Sequence, residues 1–466
     1  MARKWWTLAA VVAGVFMLLL DSTIVNIALP SIQGAFHASL TDLQWVIDAY
    51  ALTLAAALLI GGSLADRFGR RLLFTIGIAV FTGGSLLCGL ATGALFLSLA
   101  RGLQGVGGAV MFAVSLALLG DAFRGKERGV AFGVFGAVTG VAVAVGPVVG
   151  GLITTGLSWR WIFLVNVPIG VATAAVTLLK VAESRDTGAA RLDVFGFVTF
   201  AAGLGALVYG LIESAGGWGQ AKVVVSLVAA GVLLAAFVVG EAVQRRPMLD
   251  LSLFRKPTFD GGLISSFAMS GSMFSVLTFV IIYLQSALGY DALGSGLRTL
   301  FITLAVFVTA AVAGRLTTVV PVRVMISAGF VFVGAGLLLM RGLTPASEWT
   351  HLIPGMIVAG IGAGLVNVPL ASTAVGVVEP ARGGMASGIN STLRQVGLAT
   401  GIAIYGSLFA SHLRTDGFTG SLNLILLIAG VVALAAAVFS GLLIRAKDFV
   451  TEPVVTHHHE QEEVLA

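Results

Sequence analysis

The sequence predicts an all-α integral membrane protein of fourteen transmembrane helices, built as two six-helix bundles with a two-helix hairpin inserted between them. Three observations carry this: composition, apolar segments of bilayer length, and an internal repeat. Of the 466 residues 58% are apolar or aromatic and 11% charged, and mean hydropathy is +1.02. Soluble domains carry about 25% charged residues, so this chain cannot cover a soluble surface.

A bilayer core needs about 20 apolar residues per helix. Segments of that length run over 7–29, 43–65, 72–91, 94–119, 129–152, 161–180, 194–212, 222–241, 261–287, 293–313, 322–340, 352–378, 384–410 and 421–444. The first follows Arg3 and Lys4, but its length, its polar Asp21 and Asn26 and the lack of a small-residue cleavage site read as a retained helix, not a signal peptide. With the N-terminus in the cytoplasm, 20 of the 27 Lys and Arg fall in inside connections, which predicts both termini inside and a bacterial plasma-membrane location. The seven Trp lie at or near span ends, where amphipathic rings meet headgroups. Basic residues dispersed in short runs between spans speak for topology, not for nucleic acid. The lone Cys88 excludes an internal disulfide framework and any Cys-based metal site. The tail's His457, His458 and His459 have no second ligand set and read as a polar terminus, so no metal is expected.

The chain also repeats itself. At an offset of 255, Gly105-Val-Gly107 falls on Gly360-Ile-Gly362, Gly129 to Gly133 on Gly384 to Gly388, and Gly146 on Gly401. At 252, Gly62-Ser-Leu64 and Arg71 fall on Gly314-Arg-Leu316 and Arg323. Spans 1 to 6 and 9 to 14 are therefore two copies, and spans 7 and 8 an inserted hairpin. The expected divisions are 1–190, 191–245, 246–446 and a cytoplasmic tail over 447–466.

Polar residues inside spans mark the candidate chemistry. Asp21 lies in Leu20-Asp-Ser-Thr-Ile-Val-Asn-Ile-Ala-Leu-Pro30 of span 1. A mid-helix carboxylate costs roughly 2.5 to 3.5 kcal/mol on insertion scales and usually marks an ion or proton path. Arg101, in span 4, is its natural partner: a nearby guanidinium holds the acid ionised, and withdrawing it lets the acid take a proton. Asp48 in span 2 reads equally as a pocket acid or a solvated cap. Asn26 and Gln104 share these helices. In span 9 Met273 and Phe274, with Phe267, Met269 and Phe279, could line a soft pocket or simply pack; Asn390 and Arg394 in span 13 face a cavity or a neighbouring helix.

Two glycine-rich runs complete the set. Gly62-Ser-Leu-Ala-Asp66-Arg67-Phe-Gly69-Arg70-Arg71 crosses the turn between spans 2 and 3, with Asp121 within plausible reach of Arg70, and would act as a charge-paired latch. Span 5 carries Gly146-Pro147-Val-Val-Gly150-Gly151, a thin, bendable face suited to close packing.

Together these segments resemble the major facilitator superfamily, specifically its fourteen-helix drug:proton antiporter branch of the EmrB/QacA type, over nearly the whole chain. The span 1 segment is similar to that branch's first-helix motif, the Gly62 to Arg71 turn to motif A, Arg101 to Gly108 to motif B, and Gly146 to Gly151 to motif C. The resemblance implies a major facilitator fold, proton coupling through Asp21 and Arg101, a gating relay of Asp66, Arg70 and Asp121, and a lipophilic, often cationic substrate in a central cavity. Two departures stand out: Ala142 replaces a usual motif C glycine, and Thr318 stands where the second-half counterpart of Asp66 would align. The expected function is proton-driven export by one polypeptide working as a monomer, with protons as coupling ion and no cofactor. No GxxxxGK[ST] phosphate loop occurs, and no nucleophile, base or metal-ligand set suggests an enzyme. A dedicated exporter of one metabolite, antibiotic or lipid is the alternative, and an importer is disfavoured by motif C.

Overall fold

The computed structural model describes residues 3–123, 126–184, 193–244, 247, 249–317, 319–378 and 383–449. Thr318 and most of the tail lie outside the described residues, as do the surroundings of Gly62 and the side chain of Asp66, although both belong to a described helix. Helices α1 (Arg3–Phe36), α2 (Leu40–Phe68), α3 (Arg70–Gly89), α4 (Ala94–Ala122), α5 (Lys126–Gly156) and α6 (Trp161–Lys180) make the first bundle. The hairpin follows as α7 (Val194–Glu213) and α8 (Ala221–Val243). The second bundle contains α9 (Pro257–Ala287), α10 (Ala292–Leu316), α11 (Val322–Leu339), α12 (Ile353–Gly376), α13 (383–416) and α14 (418–443).

Local chemistry sets the boundaries. Ser39 opens α2 with a capping box: its hydroxyl accepts from Asp42 N at 3.2 Å while Asp42 accepts from Ser39 N at 2.9 Å. The connection between spans 13 and 14, expected over 411–420, is instead helical. The turn is confined to Gly417, whose φ of +65° a glycine adopts without a Cβ clash. Helix α9 contains two π-helical turns, Ser270–Phe274 and Tyr283–Ala287, and α6 is interrupted at Val165.

Lipid gives no hydrophobic drive for helix association, so close packing and interhelical hydrogen bonds must hold the bundles. Glycines let backbones approach. A Cβ at Gly107 would stand 2.3 Å from Phe81 N and 2.8 Å from Gly77 O; one at Gly362 would stand 2.5 Å from Val333 N and 2.4 Å from Gly329 O. These are the same three positions at offsets of 255 and 252, and the contact of Gly84 with Gln104 recurs as Gly336 with Ala359. The packed pairs α2–α4, α3–α4 and α1–α5 reappear as α10–α12, α11–α12 and α9–α13. In the hairpin, α7 packs on α2 and α13, and α8 packs mainly on α7, presenting Val225, Val228, Val232 and Val239 outward.

The bundles meet along two seams, α2 with α13 and α5 with α10. Gln44 Nε2 donates to Ile402 O at 3.2 Å, Gln285 Nε2 to Ile27 O at 2.9 Å, and Leu293 N to Thr155 Oγ1 at 3.2 Å. Nearer the opposite face Leu59 of α2 packs on the cluster that holds Ile389 of α13, so the α2–α13 seam runs through the depth of the fold.

Overpacking a tight core costs about 1–3 kcal/mol. Gly107→Ala and Gly362→Ala are each expected to lower the thermal unfolding midpoint in detergent, whereas Gly231→Ala, with nothing within 4 Å of the added Cβ, leaves it unchanged. A fluorogenic thiol reagent reads this directly, because the buried Cys88 is the chain's one cysteine.

Candidate functional site

Four helices bring one polar cluster together in the first bundle. Asp21 on α1 and Arg101 on α4 are each 1% exposed, and Arg101 Nη1 donates to Asp21 Oδ2 at 2.5 Å. Gln104, one turn after Arg101, donates to Asp21 Oδ1 at 2.8 Å and accepts from Arg101 at 2.7 Å. Asn166 on α6 donates to Asp21 Oδ1 at 3.0 Å. Ser85 on α3 accepts from Gln104 at 2.8 Å, and Cys88 lies 3.7 Å from Gln104 Oε1. Arg101 spends its Nε on Val46 O at 3.3 Å and stacks over Tyr50 at 4.1 Å.

Every group on the two Asp21 oxygens is a donor, so the cluster suits the ionised carboxylate. Removing one partner of such a buried pair strands the other and costs about 3–5 kcal/mol. The position of Gln104 therefore differs from a cavity lining: it is fully buried and both ends of its amide serve the ion pair.

Asp48 sits apart. It is fully buried, and neither carboxylate oxygen has a hydrogen-bond partner among the described residues. Its side of α2 lies between two neighbours. One is α13, reached through Gln44 and through Thr392 Oγ1 on Ala55 O at 3.2 Å. The other is α7, where Trp45 meets Tyr209 and Leu52 joins Leu204 and Val208. The acid thus lies in a three-helix seam sealed by the inserted hairpin, and is neither solvated nor part of the Asp21 cluster.

The turn between α2 and α3 is held by residues the motif did not reveal. Gly69 has φ +115°, and an added Cβ would stand 2.7 Å from Glu183 Oε1. That carboxylate caps α3, accepting from Arg71 N at 3.0 Å and Leu72 N at 3.3 Å. Arg70 bonds Asp121, Arg70 N donates to Ser184 O at 2.9 Å, and Ser184 Oγ donates to Asp121 at 2.6 Å. Arg67 is exposed and lies over Phe68. The strap after α6 therefore belongs to the turn. Glu183 escaped sequence reasoning because an acid in a polar connection resembles any solvated loop residue; Asn166, a polar residue inside span 6, was the signal for the fourth arm of the Asp21 cluster.

The span 5 run is a packing seam on two sides. A Cβ at Gly146 would stand 2.0 Å from Thr23 Oγ1 and one at Gly150 2.6 Å from Ile24 Cγ1, so α5 grips α1 immediately after Asp21. Gly151 would meet Leu293 Cα at 2.7 Å, and Pro147 O lies against Gly296, both on the second bundle. Ala142 is fully buried.

The remaining candidates separate. Asn26 accepts from Thr278 across the bundle interface at 3.3 Å. Asn390 accepts from Ser266, and the half-buried Arg394 lies one turn on. Phe274 packs on the second bundle's core, and Met273 lines an apolar cavity inside that bundle with Val276, Leu337, Met340 and Met356. At the repeat offsets, Ser85, Cys88, Arg101 and Gln104 map to Leu337, Met340, Met356 and Ala359. The counterpart of the charged cluster is apolar. A second cavity, of about 10 Å³, lies between the bundles, lined by Leu43, Gln44, Ile47, Thr278, Phe279 and Ile402 among others.

Two repeated bundles meeting across a cleft, with an ion pair inside the membrane-spanning core, define a membrane transporter fold. A family model described as Major Facilitator Superfamily matches residues 11–402 and 262–464. The chain belongs to that superfamily. It is 37% identical over 409 residues to the multidrug resistance protein Stp of Mycobacterium tuberculosis, covering 87% of this chain and 76% of that protein. It is 34% identical over 412 residues to the tetracenomycin C resistance and export protein of Streptomyces glaucescens, covering 88% and 77%. The solved structure of the human organic anion transporter MFSD10 aligns with TM-score 0.66 over 94% of this chain and 100% of that one, and at 15% identity it speaks for the fold alone.

Glu183→Ala is expected to uncap α3 at a cost of about 1 kcal/mol, and Gly69→Ala to act at the same place through φ and the lost space. Limited proteolysis near the α2–α3 turn, faster in both variants than in wild type, is the measurement.

Proposed function

We propose that the chain is a proton-coupled exporter of lipophilic small molecules, working by alternating access in the bacterial plasma membrane with both termini in the cytoplasm. The observation that carries this reading is the fully buried Asp21–Arg101 pair on helices that are themselves locked to the moving interface. Relatives named for multidrug resistance and for export of an antibiotic support the direction and the cargo class. The motif A turn, with Asp66, Arg70 and Asp121, serves as the latch on the cytoplasmic side.

The physical sequence follows from the contacts. Three donors hold Asp21 in the closed cluster, an arrangement that supports a charged carboxylate as the resting partner of Arg101. After outward opening, a proton arriving at Asp21 removes the charge that holds Arg101. α1 is then free to shift, and Gly146 and Gly150 transmit that shift to α5 and so to α10. Each proton moved is worth about 2.3 kcal/mol per 100 mV, enough to sustain a substrate gradient without ATP. Asp48, buried without a partner, is a second proton-holding group in its neutral form.

Everted membrane vesicles test this. Wild type is expected to accumulate a lipophilic dye, drawn from a panel that includes ethidium, in a protonophore-sensitive way, and Asp21→Asn to lose at least tenfold in rate while still folding, with a lowered Cys88-reported thermal midpoint because Arg101 is left unpaired. Wild-type rates in Asp21→Asn would remove the proton site. Asp48→Asn, isosteric with the protonated acid, is expected to keep the midpoint and to move fewer protons per substrate, measured by parallel pH-dye and substrate fluxes.

A further inference from the structure

Three arginines lie inside spans, and their surroundings differ. Arg101 pairs with Asp21. Arg298 stacks on Tyr290 at 3.5 Å and Trp349 at 4.8 Å, and donates to Gly294 O at 3.0 Å. Arg394 makes no hydrogen bond, ion pair or ring contact among the described residues. Its guanidinium carries five donors, cannot shed its charge, and sits about 17 Å along α13 from the end near Gly383. An unmatched charge at such depth costs several kcal/mol unless it faces a cavity.

Its neighbours on α13 give the direction. Asn390, one turn before, turns to α9, where Ser266 occupies its Oδ1. Leu398, one turn after, packs both on the first bundle's cluster around Leu20 and Ile24 and on the cluster of Ala51, Ala55 and Leu204. Arg394 lies about 40° from each around the helix, between them, so it lies on the side of α13 turned to α9 and the first bundle. Beside that bond Asn390 keeps its two amide N–H donors. Asp21 is already neutralised, Asp48 lies in the seam with α7, and the spans of the second bundle hold carboxylates only near helix ends, at Asp260 and Asp416.

We propose that Arg394, with Asn390 beside it, is the substrate-recognition point for an anionic group, so that the exported compound is a lipophilic organic anion or carries a carboxylate, phenolate or sulfonate. The assignment rests on the export reading above and narrows its substrate class. A planar guanidinium matches such oxyanions bidentately, and a charge-assisted hydrogen bond in a dry cleft discriminates by at least tenfold. The cleft wall beside it is apolar, which suits the rest of such a ligand.

The test compares fluorescein, an organic anion, with ethidium, a cation, in energised phosphatidylcholine proteoliposomes of the full chain. Wild type is expected to transport fluorescein. Arg394→Gln is expected to cut the fluorescein rate at least tenfold and to shift the fluorescein-to-ethidium ratio toward ethidium, and Arg394→Lys to restore part of the fluorescein rate. Equal loss of both probes in Arg394→Gln, with the thermal midpoint retained, overturns the proposal in favour of a structural role. Transport of ethidium but not fluorescein by wild type overturns it while the export reading stands; transport of neither overturns both. An effect that appears only when phosphatidylglycerol is added assigns Arg394 to a lipid headgroup and also overturns it.

Discussion

The ion pair between Asp21 and Arg101 is the constraint around which the first bundle is organised. An acid and a base buried at 1% exposure in a low-dielectric core hold each other only if their remaining lone pairs and protons are satisfied. Gln104, Asn166, Ser85 and Val46 O supply those partners, which fixes the rotation of α1, α3, α4 and α6 about their axes. The glycine seam of α5 then has a defined surface to fit: Thr23 and Ile24 are where they are because Asp21 is where it is.

The second bundle reaches the same backbone arrangement by other means. Its glycines make the same close approaches, yet Leu337, Met340, Met356 and Ala359 replace the polar side chains, and an apolar core with a small void replaces the network. Duplication conserved the approach distances, not the chemistry. A backbone contact at about 2.5 Å from a would-be Cβ excludes every residue but glycine, whereas the side chains filling the space between helices can change together so long as volume is kept. One half therefore carries a buried ion pair at its centre where the other carries an apolar core.

Much of this was legible in the sequence. Span number, the hairpin and the repeat offsets follow from hydropathy and charge counts, and the cost of intramembrane charge marks Asp21 and Arg101 as candidate partners, while their contact is read only from the structure. What escaped had physical reasons. The turn between spans 13 and 14 carries Arg414 and Asp416 and reads as a loop, but a single glycine at 417 lets the helices abut. Asp48 stayed ambiguous because depth along a helix says nothing about which neighbour covers it. Gln104 looked like a cavity group, and only three-dimensional packing places both ends of its amide on the ion pair. Glu183 acts across more than 100 residues of chain, a distance no local pattern reports.

The hairpin decides what surrounds Asp48. Helix α7 is the wall that keeps Asp48 from the bilayer, and α8 offers the lipid a face of valines. Without the hairpin the same carboxylate would abut acyl chains beside α13, so the inserted pair of helices works as insulation for a polar group that the two bundles leave at their margin.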